Sequence, residues 1–241
     1  MASETQIGKL VIDLQIKTQA LEKGLETAKQ KLQQIEQQNK QVQSSNNQLD
    51  ASFVAMSASI VAALAKITSA VQDGVNKYVN SMKALQKTAT ATNNSMSDIE
   101  DTIEDVNKLK LMDESDLNAS IKNLLLYGYT AEQAADILKV LQDAAVGNRQ
   151  EAYSLSEAVR VTTEGIRMEN SVLSDAAGVQ KNISKMYQEY AASIGKSSDS
   201  LTQAEKAQAV YNGIMAEASM FTGAAAEMAS GYQGQQAQLN A

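Results

Sequence analysis

Along IGKLVIDLQI, residues 7–16, apolar side chains fall on alternate positions: Leu10, Ile12, Leu14 and Ile16 on one face, Val11, Asp13 and Gln15 on the other. A period of two predicts a short β-strand within residues 1–17. Leu14 also fits the register of the helical pattern that begins at Thr18, so the alternative is that this stretch only opens that helix. A lone strand does not stand by itself in water; its edge is expected to pair with another copy or another protein.

From Thr18 the apolar spacing changes to three and four. Leu21, Leu25, Leu32, Ile35, Asn39, Val42, Asn46, Leu49, Phe53, Met56, Ile60 and Ile67 all keep to one seven-residue repeat. Leu25, Leu32, Asn39, Asn46, Phe53, Ile60 and Ile67 take the a positions, and the others take d. An unbroken heptad series predicts a coiled-coil seam and hence self-association into a homo-oligomer. Asn39 and Asn46 weaken such a seam but can fix register and strand number, while Lys31 at g and Glu36 at e are placed to pair between parallel chains. Unbroken, residues 18–70 make a rod of roughly 80 Å at 1.5 Å per residue. SSNN at 44–47 is where the chain would turn if the helix folds back on itself. Beyond Ala70 the apolar positions slip by one residue, to Val71, Val75, Tyr78, Met82 and Leu85, as a 3.6-residue helix drifts away from a strict heptad. The helix is expected to fade in TATATNNS, 88–95, where β-branched and Asn residues disfavour it.

Shorter helices come next, each opened by a capping box: Ser97 with Glu100, Thr130 with Gln133, Ser154 with Glu157, and Thr202 with Glu205. Their apolar stripes include Leu117, Ile121, Leu124 and Leu125, then Ala134, Ile137, Leu138 and Leu141, then Leu155, Val159 and Ile166. Within 120–190 the pattern reads as four short helices separated at Gly128, Gly147 and near Gly165. The fold class expected is therefore all-α: a short N-terminal β-strand (1–17), a long coiled-coil-like helical region (18–92), a compact multi-helix bundle (93–218) and an Ala/Gln-rich link (219–241).

Composition sharpens this picture. The 241 residues include no Pro, Cys, His or Trp and only two Phe, and the apolar 44% is rich in Ala. Alanine favours helix but buries little area, and the absence of Pro leaves long helices uninterrupted. Net charge is −7, which argues against direct nucleic-acid recognition, since phosphate contacts need clustered Lys and Arg. Eight acids between Asp98 and Asp116 against Lys108 and Lys110 supply −6 of it. The longest charge-free apolar run, Ala51 to Ala65, is shorter than the roughly twenty residues a spanning helix needs, so no transmembrane segment is predicted.

Candidate chemistry is sparse. Asp101 with Asp105 and Glu100 with Glu104 share helix faces, but a calcium loop needs alternating ligands and a glycine turn. Acids at a helix start are also favoured by its dipole. Ser193 and Lys196 match S-x-x-K, without the partner motifs of acyl-transfer enzymes. With no His, the usual general base is missing. Tyr127, Tyr129, Tyr187 and Tyr190 are read as core or bundle-edge residues in preference to a binding platform. No catalytic, metal-ligating or cofactor-binding residue is assigned, and no cofactor is expected.

Three segments resemble the tape-measure proteins of long-tailed bacteriophages: the opening IGKLVIDLQIKTQALEKGLETAKQKL, the more specific NSVLSDAAGVQKNISKMYQEYAASIGKSSDSLTQAEKAQAVYNGIM, and the closing YQGQQAQLNA. The resemblance implies a non-enzymatic virion protein that lies extended in the tail tube, organises tube polymerisation, sets tail length and leaves ahead of the DNA. It implies tail-tube, tail-tip and tail-assembly chaperone proteins as partners, contact with the host membrane during ejection, and residence in the host cytoplasm before assembly. One helix of 241 residues would reach only about 360 Å, and such proteins are generally several times longer; the chain is therefore expected to be an N-terminal part. Two other readings fit the residues: a membrane-active or secreted coiled-coil effector, and a generic helical interaction protein.

Overall fold

The computed structural model describes residues 19, 22–34, 47–218 and 220–231, and among these every regular element is a helix. The strand expected within residues 1–17 lies outside them. The chain divides into two compact units, Met1–Asn80 and Ser81–Ala241. The first contains helical residues 22–34 (α1) and most of α2, a single helix running from Asn47 to Thr92. No proline interrupts α2, and it ends inside the stretch where fading is expected. Asn93 takes a left-handed backbone (φ 56°) and the Asn94 N–H returns to the Ala89 carbonyl at 3.0 Å.

The second unit takes in the end of α2, then α3 (Met96–Val106), α4 (Glu114–Tyr127), α5 (Ala131–Asn148), α6 (Leu155–Arg167), α7 (Ser171–Ser174), α8 (Ile183–Ser193), α9 (Gln203–Ala218) and α10 (Ala224–Ser230). Its core takes Met82 and Leu85 from α2, Ile99 from α3, and the stripes read in the sequence, including Leu117, Ile121, Leu124, Ile137, Leu138 and Leu141. α5 is the central element, packed by α3, α4, α6, α9 and α10. Polar groups fix the neighbours around it. Thr102 Oγ1 reaches the Ala131 carbonyl at 3.0 Å, and Gln142 Nε2 reaches the Val106 carbonyl at 3.3 Å. α4 and α6 lie side by side and parallel, because Ser156 meets Asp116 (2.9 Å) at one end and Arg167 meets Asn123 (3.0 Å) at the other.

The helix starts obey local chemistry. Thr130 with Gln133 and Ser154 with Glu157 form complete capping boxes, and Thr202 with Glu205 exchanges the same pair of bonds. The expected box at Ser97 is displaced: Ser95 caps α3, accepting from the Asp98 N–H at 3.0 Å. Two of the three glycine separators also need correction. Gly128 does end α4 with a left-handed backbone (φ 116°), which its lack of a side chain permits, and the Gly128 N–H reaches the Leu125 carbonyl at 3.1 Å. Gly147 and Gly165 lie inside α5 and α6, where glycine is tolerated at modest cost, and five helices or parts of helices occupy residues 120–190.

Candidate functional site

The residues singled out in the sequence are those of the heptad seam. Leu21, Ile35, Asn39, Val42 and Asn46 lie outside the described residues. Leu25 and Leu32 are half-exposed on α1. Leu49, Phe53 and Met56 lie on α2 at spacings of four and three, which a helix places along one face. Farther along the same helix, Ile60 and Ile67 are 40% and 53% exposed. Val71, Val75 and Tyr78 are half-buried, and Met82 and Leu85 are fully covered. The sequence slip after Ala70 thus coincides with a graded change from open to enclosed apolar positions along one helix. Exposed β-branched residues at heptad spacing are what a partner helix would cover.

In the second unit, Asp98, Asp101, Glu104 and Asp105 line a cleft of about 900 Å³ between α3 and α5, together with Glu132, Asp136 and Lys139. Asp105 is engaged by Lys108 at 2.8 Å and by Lys139, and these two ammonium groups hold its carboxyl below the usual carboxylate range. Glu100 is pushed up by burial and by its neighbour Asp101. Among the described residues no group of three or more acidic side chains is placed to hold a metal ion. Ser193 and Lys196, which match an acyl-transfer spacing, face different partners. Ser193 Oγ donates to the Tyr190 carbonyl at 2.7 Å, whereas Lys196 pairs with Glu205.

The tyrosines gather at the end of α4. Tyr127 and Tyr187 hydroxyls share a hydrogen bond of 2.6 Å in the interior. Tyr129 donates to the Ala207 carbonyl at 3.0 Å, and its ring stands 5.6 Å from that of Tyr127. Burial is the main reason the Tyr187 phenol is pushed up to about 12, and burial likewise raises Tyr127 and Tyr129. Lys206 Nζ lies 5.4 Å over the Tyr187 ring and binds both Glu169 carboxylate oxygens at 3.0–3.1 Å. This set clasps α4, α8 and α9 together, while Tyr190 is half-buried beside Met186 and Gly213 in a shallow groove. The sequence did not single out Asp175 and Glu217, two acids that the fold brings near one another from α9 and the segment before α8.

No protein family, curated protein or solved structure matches the chain. Among the described residues no helix is long and apolar enough to cross a membrane.

Proposed function

We propose that this chain is a structural segment of a bacteriophage tail tape-measure protein, scaffolding tail-tube assembly and contributing to tail length without catalysis. The observation that carries the reading is α2: 46 residues of one helix in which Ile60 and Ile67, both at heptad a positions, remain open while later apolar positions are enclosed. A scaffold that organises a tube needs a long apolar face for its own copies and a folded body for other components, and this chain offers both. The resemblance supplies the identity of the partners. Its most specific segment, residues 170–215, folds as α7, the buried turn after it, α8 and α9.

On this reading the seam joins copies of the chain, the compact unit meets tail-tube, tail-tip and chaperone proteins, and the protein resides in the virion tail after assembly in the host cytoplasm. Contact with the host membrane belongs to ejection.

Two experiments test it. Sedimentation of the full chain at high concentration should show an oligomer that the double substitution Ile60→Asp, Ile67→Asp weakens; a monomer at all concentrations refutes the seam. Co-expression with the products of neighbouring reading frames should recover a tail-tube or tail-tip protein; their consistent absence refutes the scaffold.

A further inference from the structure

The segment between α7 and α8 is a loop whose backbone is buried. Ala176, Ala177 and Val179 are almost wholly enclosed. Three neighbours hold it by one hydrogen bond each. The Gln150 N–H donates to the Ala176 carbonyl at 3.0 Å, and the Ala177 N–H donates to Thr162 Oγ1 at 2.8 Å. The Gln180 N–H donates to Glu217 Oε2 on α9 at 3.0 Å. The turn closes through the Gly178 N–H on the Asp175 carbonyl at 2.9 Å.

At the start of this loop, Asp175 Oδ1 is shut off from solvent and has no hydrogen-bond partner. Glu217, itself only 8% exposed, is the charged group whose field reaches it. Four basic groups on the neighbouring elements have partners elsewhere. Arg149, at the end of α5, donates to the Ala145 and Val146 carbonyls. On α6, Arg160 pairs with Asp116 and Glu164, and Arg167 binds Asn123. Lys181 pairs with Glu189 of α8. An ionised carboxylate with a dry, unpartnered oxygen next to a second carboxylate is a costly arrangement. The neutral acid is the form that fits. A cavity of about 400 Å³ lined by Asn148, Asp175, Gly178, Val179 and Gln180 lies beside the loop, giving the ionised form a place to take up water.

We propose that Asp175 and Glu217 form a proton-operated latch on the loop 175–180: one proton on Asp175 locks the loop against α9, and its loss loosens the loop. The sign comes from the raised affinity of the folded state. Burial first, and then Glu217, hold the Asp175 carboxyl above 3.8, its ordinary value. The folded protein therefore binds more protons than the unfolded chain between that value and the raised one, and stability falls as pH rises through this window. Acidification tightens the loop; neutral pH relaxes it. The latch stands independently of the tail reading.

Amide hydrogen exchange on the full chain tests it, after correction for the intrinsic pH dependence of exchange. Protection of the Ala177 and Gln180 amides should fall as pH rises from about 3.5 to about 7, while amides in the middle of α5 change little. Asp175→Asn should keep both amides highly protected at both pH values. Unchanged protection in the parent chain, or a pH response that survives Asp175→Asn, overturns the proposal. Carbon NMR of the Asp175 carboxyl reads the parent chain directly, whatever the variant does to folding. A midpoint clearly above the ordinary carboxylate value, lowered by Glu217→Gln, supports the latch; a midpoint at or below that value overturns it.

Discussion

Replacing Gly178 by alanine should be among the most damaging single-methyl changes in the second unit. Its φ is 90°, a left-handed backbone that side chain-bearing residues rarely adopt. Forcing alanine into that region costs about 1–2 kcal/mol. The new Cβ would also meet Asn148, at 2.4 Å from its Cβ, 2.6 Å from its carbonyl oxygen and 2.7 Å from its carbonyl carbon. Two of these atoms are backbone at the end of α5 and cannot swing aside as a side chain would, so overpacking adds about 1–3 kcal/mol. The expected loss is about 3 kcal/mol. With a urea dependence of about 2 kcal/mol per M, the unfolding midpoint moves down by about 1.5 M. Urea titration monitored by helical circular dichroism measures this. A midpoint within about 0.3 M of the parent chain would refute the reasoning, because it would mean that α5 and the loop after α7 are not in close contact.

Three further outcomes rest on the same packing. Leu138→Ala, in the fully enclosed stripe of α5, should cost about 2–5 kcal/mol, whereas Ile67→Ala in dilute solution should change stability by less than about 0.5 kcal/mol; parallel denaturant titrations compare them. Tyr127→Phe should cost about 1 kcal/mol by removing the 2.6 Å hydroxyl pair, and the Tyr127→Phe, Tyr187→Phe double variant should lose less than the sum of the two singles. Glu205 is held down at about 2, first by Lys196 and then by the Thr202 backbone N–H. Its folded value lies below the unfolded one, so the stability it contributes is present above about pH 4.5 and disappears as pH falls towards 2. Thermal melts of the parent chain and Glu205→Gln should therefore differ at pH 7 and converge by pH 2.

The parts of the fold that the sequence makes legible are those whose causes are local. Thr130 with Gln133 and Ser154 with Glu157 lie three residues apart, so each capping box is complete within one turn. The stripes of α4 and α5 repeat at helical spacing and all enter the core. Ser95 and Ser97 are both suitable caps for α3, and the choice depends on where α2 stops, which the spacing alone does not fix. The start of α4 carries no capping box because its help comes from far away: the Asp113 N–H donates to Ser156 Oγ, 43 positions later, at 3.0 Å. SDAAGVQ gives no sign of a buried loop for the same reason. Its alanines favour helix, and Thr162, Gln150 and Glu217 hold it open from other elements. Gly213 is similarly opaque in sequence: it lies in α9 where a Cβ would come within 2.5 Å of Met186 Cγ. The heptad pattern is legible as a period, and the openness of Ile60 and Ile67 becomes visible only in three dimensions.

The tyrosine clasp also gives the molecule an intrinsic optical signal. The chain has no tryptophan to absorb or outshine its eight tyrosines. Three of these, Tyr127, Tyr129 and Tyr187, are buried where α4, α8 and α9 meet. Ultraviolet absorbance and emission near the phenol band therefore report chiefly the opening of the second unit, because Tyr78 is the one tyrosine on α2 among the described residues. Unfolding of the bundle and the proposed dissociation of copies along α2 can thus be followed in one unlabelled sample, by spectroscopy for the first and by sedimentation for the second.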